Sequence, residues 1–257
     1  MKGKYYHMKK WISLLLMLLI VISQVGCTKP EIEISEKSKS LITVTDSRNK
    51  EIEINYPAKK IVCLLNSGLN DLYMLGAKEQ VIAIDNWTYN TEEVYTLTSK
   101  IDSRVKDKIL PAVDKNIEKI VSMDPDVVII WAGYKDEIKA LEDRGIKVAA
   151  VQVNNFDDVF WKLRLLGKIS GKEDRAEEII NYVQGSLNEI NTKISSISEE
   201  DKSSAGFIWG PTKLDFAGNH STGDSILRMS GAVNAASEVT EEHFIAKMEQ
   251  VINWNPD

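Results

Sequence analysis

The chain states one phrase twice. Ile117-Glu118-Lys119-Ile120-Val121-Ser122-Met123-Asp124-Pro125-Asp126 is echoed by Met248-Glu249-Gln250-Val251-Ile252-Asn253-Trp254-Asn255-Pro256-Asp257. Each copy reads glutamate, a short apolar helical pattern, then Asp/Asn-Pro-Asp. Proline disfavours the helical conformation at the residue before it, so both helices are expected to stop there. After the first copy, Val127-Val128-Ile129-Ile130-Trp131 is a continuous apolar run of the kind a strand buried on both faces shows. After the second, the sequence reaches Asp257 where the matching strand is due, so the second lobe is expected to be incomplete. A second echo, Leu72-Tyr73-Met74-Leu75-Gly76-Ala77 against Leu227-Arg228-Met229-Ser230-Gly231-Ala232, occurs in the same order. Ordered echoes of this kind predict two similar α/β lobes, each presenting one glutamate at the start of an equivalent helix.

The intervening pattern fills in that architecture. Leu41 to Thr45 and Glu51 to Ile54 alternate around Ser47-Arg48-Asn49, which predicts a hairpin. Strand and helix patterns then alternate: Ile61 to Leu65, Leu69 to Leu75, Val81 to Ile84, Ile117 to Met123, Val127 to Trp131, Glu137 to Arg144, and Val148 to Val151. Short connections between such elements predict a parallel sheet flanked by helices. Gly76 and Gly145 sit where helix C-terminal caps are expected. Phe156 to Ile169 and Lys172 to Ile194 read as helices broken at Gly171, the second with a stripe of Ala176, Ile179, Val183, Leu187, Ile190 and Ile194. The expected organisation is a first lobe over 41–170, a connecting helix over 171–197 and a second lobe over 198–257, opened by the strand Ala205 to Trp209.

The first 26 residues read as a targeting segment. Lys9 and Lys10 precede the apolar run Trp11 to Ile22, which is shorter than the ~20 residues a membrane span takes. Val25-Gly26-Cys27 is similar to a bacterial lipoprotein cleavage site with Cys27 as the lipidated residue, although Gln24 stands where leucine is usual. Residues 27–40 are charged and polar and read as a tether. With Cys27 lipidated, Cys63 is the remaining cysteine and reads as a small buried hydrophobe. A net charge of −6, with basic residues scattered singly, excludes a general nucleic-acid surface.

The ordered set Val44-Thr45-Asp46, Lys60-Ile61-Val62, Leu75-Gly76-Ala77, Asn116-Ile117-Glu118, Asp124-Pro125-Asp126-Val127-Val128-Ile129, Leu141-Glu142, Gly145-Ile146, Leu165-Leu166-Gly167, Gly171-Lys172, Gly231-Ala232-Val233-Asn234 and Glu249-Gln250 carries a family resemblance. It resembles the ABC-importer substrate-binding proteins for ferric siderophores, haem and cobalamin, the class III periplasmic binding proteins. The resemblance implies an α/β fold of two Rossmann-like lobes with parallel sheets, joined by a single long helix, with the ligand in the cleft between them. It also implies that Glu118 and Glu249 dock on the two subunits of an ABC permease dimer served by a cytoplasmic ATPase, at the outer face of the cytoplasmic membrane. A carboxylate in a helix's first turn is favoured by the dipole without any partner, so the residues alone leave both readings open.

Ligands of open α/β sheets bind at the carboxyl ends of strands. That rule selects Asn66 and Ser67 after the first sheet strand, Trp87 and Tyr89 after Val81 to Ile84, and Trp131, which matches a cleft aromatic of the cobalamin-binding relatives. In the second lobe it selects Trp209, Phe216, Asn219 and His220. Aromatic faces with a few donors suit a large chelate or corrinoid and need no resident cofactor. Arg104, Lys106 and Lys108 read as a solvated basic turn, and Asp71 stands where the family more often has glutamate.

Enzyme readings meet near misses. Gly167-Lys168-Ile169-Ser170-Gly171-Lys172 is one residue short of a phosphate loop and is followed by Glu173, and Asn219-His220-Ser221-Thr222-Gly223 lacks the first glycine of a nucleophile elbow. A binder of bare transition-metal ions is the nearer rival. Beyond the targeting segment only His220 and His243 remain, which excludes a three-histidine site and leaves a mixed His/carboxylate site open. A surface sensor or adhesion module would have no use for the paired Glu118 and Glu249.

Overall fold

The computed structural model describes residues 40–210 and 212–257. The targeting segment, Cys27 and the tether lie outside the described residues, except that Ser40 already belongs to the first strand. Among the described residues no helix is long and apolar enough to cross a membrane.

Strands β1 (Ser40–Thr45) and β2 (Glu51–Tyr56) form the expected antiparallel hairpin, turned through Asn49 at φ 60°. A four-stranded parallel sheet follows, made of β3 (Ile61–Leu64), β4 (Val81–Ile84), β5 (Val127–Trp131) and β6 (Val148–Val151) in the order β4-β3-β5-β6. Its apolar runs divide with period two. Ile61, Cys63, Val127 and Ile129 enter one buried cluster, while Val62, Leu64, Val128 and Ile130 enter another. Both faces are therefore covered, which is why these strands read as continuous rather than alternating.

On one face lie the hairpin, α1 (Asn66–Met74) and α7 (Phe156–Ser170). The other face carries α5 (Ile117–Ser122) and α6 (Lys135–Glu142). Between β4 and α5 the chain forms three helices that the apolar pattern does not announce: α2 (Trp87–Asn90), α3 (Glu92–Ile101) and α4 (Ser103–Lys106). Gly76 and Gly145 stand at φ 74° and 79° just past α1 and α6, as expected. Cys63 is buried, which pushes its thiol up to about 12 and removes it as a nucleophile.

Helix α8 (Glu173–Ile194) turns away from α7 at Gly171, whose φ of 68° lets the backbone reverse while the Lys172 amide bonds the Gly167 carbonyl at 2.8 Å. A Cβ at Gly167 would lie 2.8 Å from the Ala176 methyl, so glycine permits this close crossing. Ala176 and Ile180 are buried and Ile179, Val183 and Leu187 pack partly on the first sheet's core. Beyond them Ile190 is exposed, and Ile194 lies beside Gly231, so the stripe serves the first sheet at one end of the helix and the later residues at the other.

The remaining elements are β7 (Ser204–Ala205), β8 (Asp215–Phe216), α9 (Thr222–Met229), β9 (Val233–Asn234), β10 (Phe244–Ile245) and α10 (Met248–Trp254). The expected strand Ala205 to Trp209 is shorter than its apolar content suggests. After Ala205 the Phe216 ring covers Gly206, where a Cβ would lie 2.5 Å from it, and Ile208 makes only an isolated bridge to Phe216. Strand β7 pairs β9 in parallel, as β3 pairs β4, while β8 and β10 form an antiparallel pair that the parallel expectation omitted.

The repeated phrase is a repeated structure. Asp124 and Asn255 end α5 and α10 at the same left-handed φ, 47° and 44°. Two residues on, the Asp126 amide donates to the Lys60 carbonyl at 2.8 Å, and its carboxylate accepts from the Lys60 amide at 2.9 Å. The Asp257 amide donates to the Ser204 carbonyl at 2.8 Å, and its carboxylate accepts from the Ser204 amide at 2.8 Å. In each copy the aspartate after the proline thus clamps the residue that leads into, or opens, the first strand of its parallel pair.

Candidate functional site

The sheet order places the change of winding direction between β3 and β5, because β4 lies to one side of β3 and β5 and β6 to the other. Loops at the carboxyl ends of strands diverge at such a point and leave a crevice. A cavity of about 370 Å³ opens there, lined by Leu64, Asp85, Asn86, Trp87, Asn90, Asp114, Lys115 and Tyr134. Leu64 ends β3, Asp85 and Asn86 follow β4, Trp87 and Asn90 belong to α2, and Tyr134 lies between β5 and α6. Asp114 and Lys115 follow Ala112, which bridges Ile84 in parallel.

Local chemistry fixes these groups. Asp85 Oδ1 accepts from the Thr88 amide and hydroxyl, both at 3.3 Å, so the carboxylate, one residue before the N-cap Asn86, is tied to the first turn of α2. Burial pushes the Asp85 carboxyl above its ordinary value, the Thr88 hydrogen bonds oppose this, and Asp114 adds to the rise. Asp114 is at φ 44°, a left-handed conformation that aspartate tolerates. Lys115 Nζ stands 3.3 Å from Glu137 Oε1 and 4.1 Å above the Tyr134 ring, and Glu137 holds its pKa above the usual lysine value.

Of the sequence-selected residues, Trp87 lines this cavity and is exposed. Trp131 does not line it but backs a lining residue: its ring meets Tyr134 edge-on at 5.2 Å, and its indole N–H donates to Gln152 at 2.8 Å. Asn66 and Ser67 begin α1 rather than forming a loop, and the Asn66 side-chain nitrogen is buried without an acceptor among the described residues. Tyr89 is turned into structure, its hydroxyl donating to the Leu110 carbonyl at 2.7 Å and its ring packing on the core. Arg104 is likewise structural, bonding Asp102 and the carbonyls of Lys78 and Val81.

A second cavity, of about 510 Å³, is lined by Ile208, Trp209, Gly210, Thr212, Lys213 and Leu214, just past β7. Here Trp209 stacks on His243 at 4.4 Å and meets Phe207 at 4.9 Å. Phe216 does not join it: the side chain is 2% exposed and packs against Phe244 and Trp254, since it is the core of this small region. Asn219 and His220 line neither cavity; Asn219 accepts from Arg228 at 3.3 Å, and His220 is an exposed turn residue at φ 65°. Among the described residues no three His, Cys, Asp or Glu side chains converge in the manner of a metal site.

Glu118 and Glu249 occupy the first turns of α5 and α10. The Glu118 side chain is 76% exposed and touches Arg144 at 3.0 Å, and Glu249 is exposed.

Comparison with known proteins agrees with this architecture. An uncharacterized ABC transporter substrate-binding lipoprotein of Bacillus subtilis, YvrC, is 26% identical over 94% of this chain and 77% of its own length. The iron-uptake system-binding protein of the same organism is 26% identical over 97% of this chain and 78% of its own. The molybdate-binding periplasmic protein MolA of Haemophilus influenzae superposes with a TM-score of 0.70 at 18% identity, covering 84% of this chain and 72% of that one. Residues 61–257 match the family described as periplasmic binding protein, and the chain belongs to that family of non-catalytic transport components.

Proposed function

We propose that this protein is the extracytoplasmic substrate-binding component of an ABC importer, lipid-anchored through Cys27, that captures an iron chelate or a corrinoid and hands it to a permease dimer. The observation that carries this reading is the crevice at the winding switch of a periplasmic-binding-protein fold, furnished with Trp87 and with Tyr134, whose ring Trp131 meets edge-on. Flat aromatic surfaces with scattered amides bind large, rigid, partly apolar ligands, and the second cavity beside Trp209 offers a similar face. Function then rests on affinity and on recognition, with Glu118 and Glu249 as paired docking charges at equivalent helix starts.

A thermal-shift screen of the complete protein against ferric chelates, haem, cobalamin and bare metal ions tests the ligand reading, because a ligand that binds only the native state raises its melting temperature. A shift with zinc or manganese and with none of the complexes would overturn it. Replacing both glutamates, Glu118→Ala with Glu249→Ala, is expected to leave ligand binding intact and impair uptake by cells; unchanged uptake would remove the docking role.

A further inference from the structure

The cavity at the ends of β3, β4 and β5 has a charge pattern that bears on which complexes enter it, given the reading of that cavity as one half of the ligand cleft. Its lining carries two carboxylates, Asp85 and Asp114, and one cation, Lys115. That cation is already engaged, with Glu137 at 3.3 Å and the Tyr134 ring at 4.1 Å. Asp85 is half-buried and accepts from the Thr88 amide and hydroxyl and from the Trp87 backbone, all neutral donors, and among the described residues it has no ion pair with a cation of the lining. The other polar groups, Asn86 and Asn90, are neutral amides, and among the described residues no arginine contributes to the lining.

An anionic complex brought into this space would meet uncompensated carboxylates in a partly desolvated setting, where like charge costs most. A complex of zero or positive net charge, bearing N–H or O–H donors, would find acceptors in Asp85, Asn86 and Asn90 and ring faces in Trp87 and Tyr134. We infer that the protein selects complexes without net negative charge, such as amide-bearing corrinoids or hydroxamate chelates, and rejects polyanionic catecholate or carboxylate chelates and oxyanions.

The test is a titration of the complete protein, followed by calorimetry and tryptophan fluorescence, with four probes: cyanocobalamin, a ferric trihydroxamate of charge +1, a ferric tris-catecholate of charge −3, and molybdate. Affinity for at least one of the first two should exceed that for both anions by about tenfold or more. Asp85→Asn combined with Asp114→Asn should narrow that gap several-fold by weakening the cationic complex and strengthening the anions. Asp114→Asn alone, at an exposed position whose left-handed backbone asparagine accepts, should shift the ratio the same way if the double variant melts early. Tighter binding of either anion, or a charge preference unmoved by both variants, would overturn the selectivity while leaving the importer reading in place. Failure of all four probes, together with haem, would sink the ligand reading itself.

Discussion

Lys162 and Asp71 form an ion pair in the interior, and its removal should reveal what holds α7 against α1. Nζ and Oδ2 are 2.9 Å apart, with the two side chains only 6% and 11% exposed. The contact is ionic rather than a well-aligned hydrogen bond, since among the described residues Oδ2 has no partner of good hydrogen-bond geometry. At an effective dielectric constant near 20, two unit charges at that distance attract by about 6 kcal/mol. Desolvation costs several kcal/mol for each ion, so the intact pair contributes little net stability. Lys162→Met removes the attraction and leaves the carboxylate's desolvation cost in place, which predicts a loss of about 3–5 kcal/mol at pH 7. Lys162→Met combined with Asp71→Leu removes both ions and should recover most of that loss.

The pH dependence supplies an independent check. Burial holds the Asp71 carboxyl above its ordinary value of 3.8, and Lys162 only partly opposes that rise. Between 3.8 and the raised value the folded state holds more protons than the unfolded state, so this group's contribution to stability falls as pH rises through that window. Without Lys162 the window widens upward, and the deficit of Lys162→Met should be smaller at pH 4 than at pH 7. Urea denaturation at both pH values, read as midpoint shifts at constant slope, measures this. A loss below ~1 kcal/mol, a pH-independent loss, or a double variant no more stable than the single one would refute the reasoning.

Gln152→Ala releases the Trp131 indole and should weaken binding of a preferred complex by roughly five- to tenfold in a fluorescence titration, with the denaturation midpoint nearly unchanged. Gly171→Ala puts a Cβ at φ 68° and 2.7 Å from the Pro57 ring, so it should lower stability by more than the ~1 kcal/mol of the left-handed backbone alone, measured by urea melts. For Glu142, burial pushes the carboxyl up, but hydrogen bonds from Arg48 and Lys50 outweigh it and hold the value below the usual 4.5. Its contribution is therefore full above 4.5 and lost as pH falls through the depressed value, and Arg48→Met should flatten the acid limb of the stability curve.

How much of this was legible in the sequence depends on whether burial followed apolar spacing. It did in β3 and β5, where every core position is apolar, and at Gly76, Gly145 and Gly171, where backbone sign demands glycine. It did not over residues 87–106. There Leu97 and Ile101 are more than half exposed while Thr98 is buried and Tyr95 half-buried, so an apolar count places the helix face wrongly. The site divides the same way. The rule of strand ends reaches Trp131, the last residue of β5, and Trp87, three residues past β4, but it also selects Tyr89 and Phe216, whose rings complete cores that no local pattern reveals. Asp85, Asn86 and Asn90 follow one strand, while Asp114, Lys115 and Tyr134 arrive from two further loops, and only the sheet order β4-β3-β5 brings them together. The repeated phrase was legible because its meaning is local. A helix closed by a left-handed residue before proline, then an aspartate that takes both backbone groups of the residue at the head of a strand, is a device for turning a helix back under a sheet. That geometry fixes where each helix begins relative to its sheet, and hence where Glu118 and Glu249 emerge. Asp126→Ala should therefore disturb uptake as well as stability, and a variant that loses stability while its uptake per folded molecule is unchanged would separate the clamp from the proposed docking face.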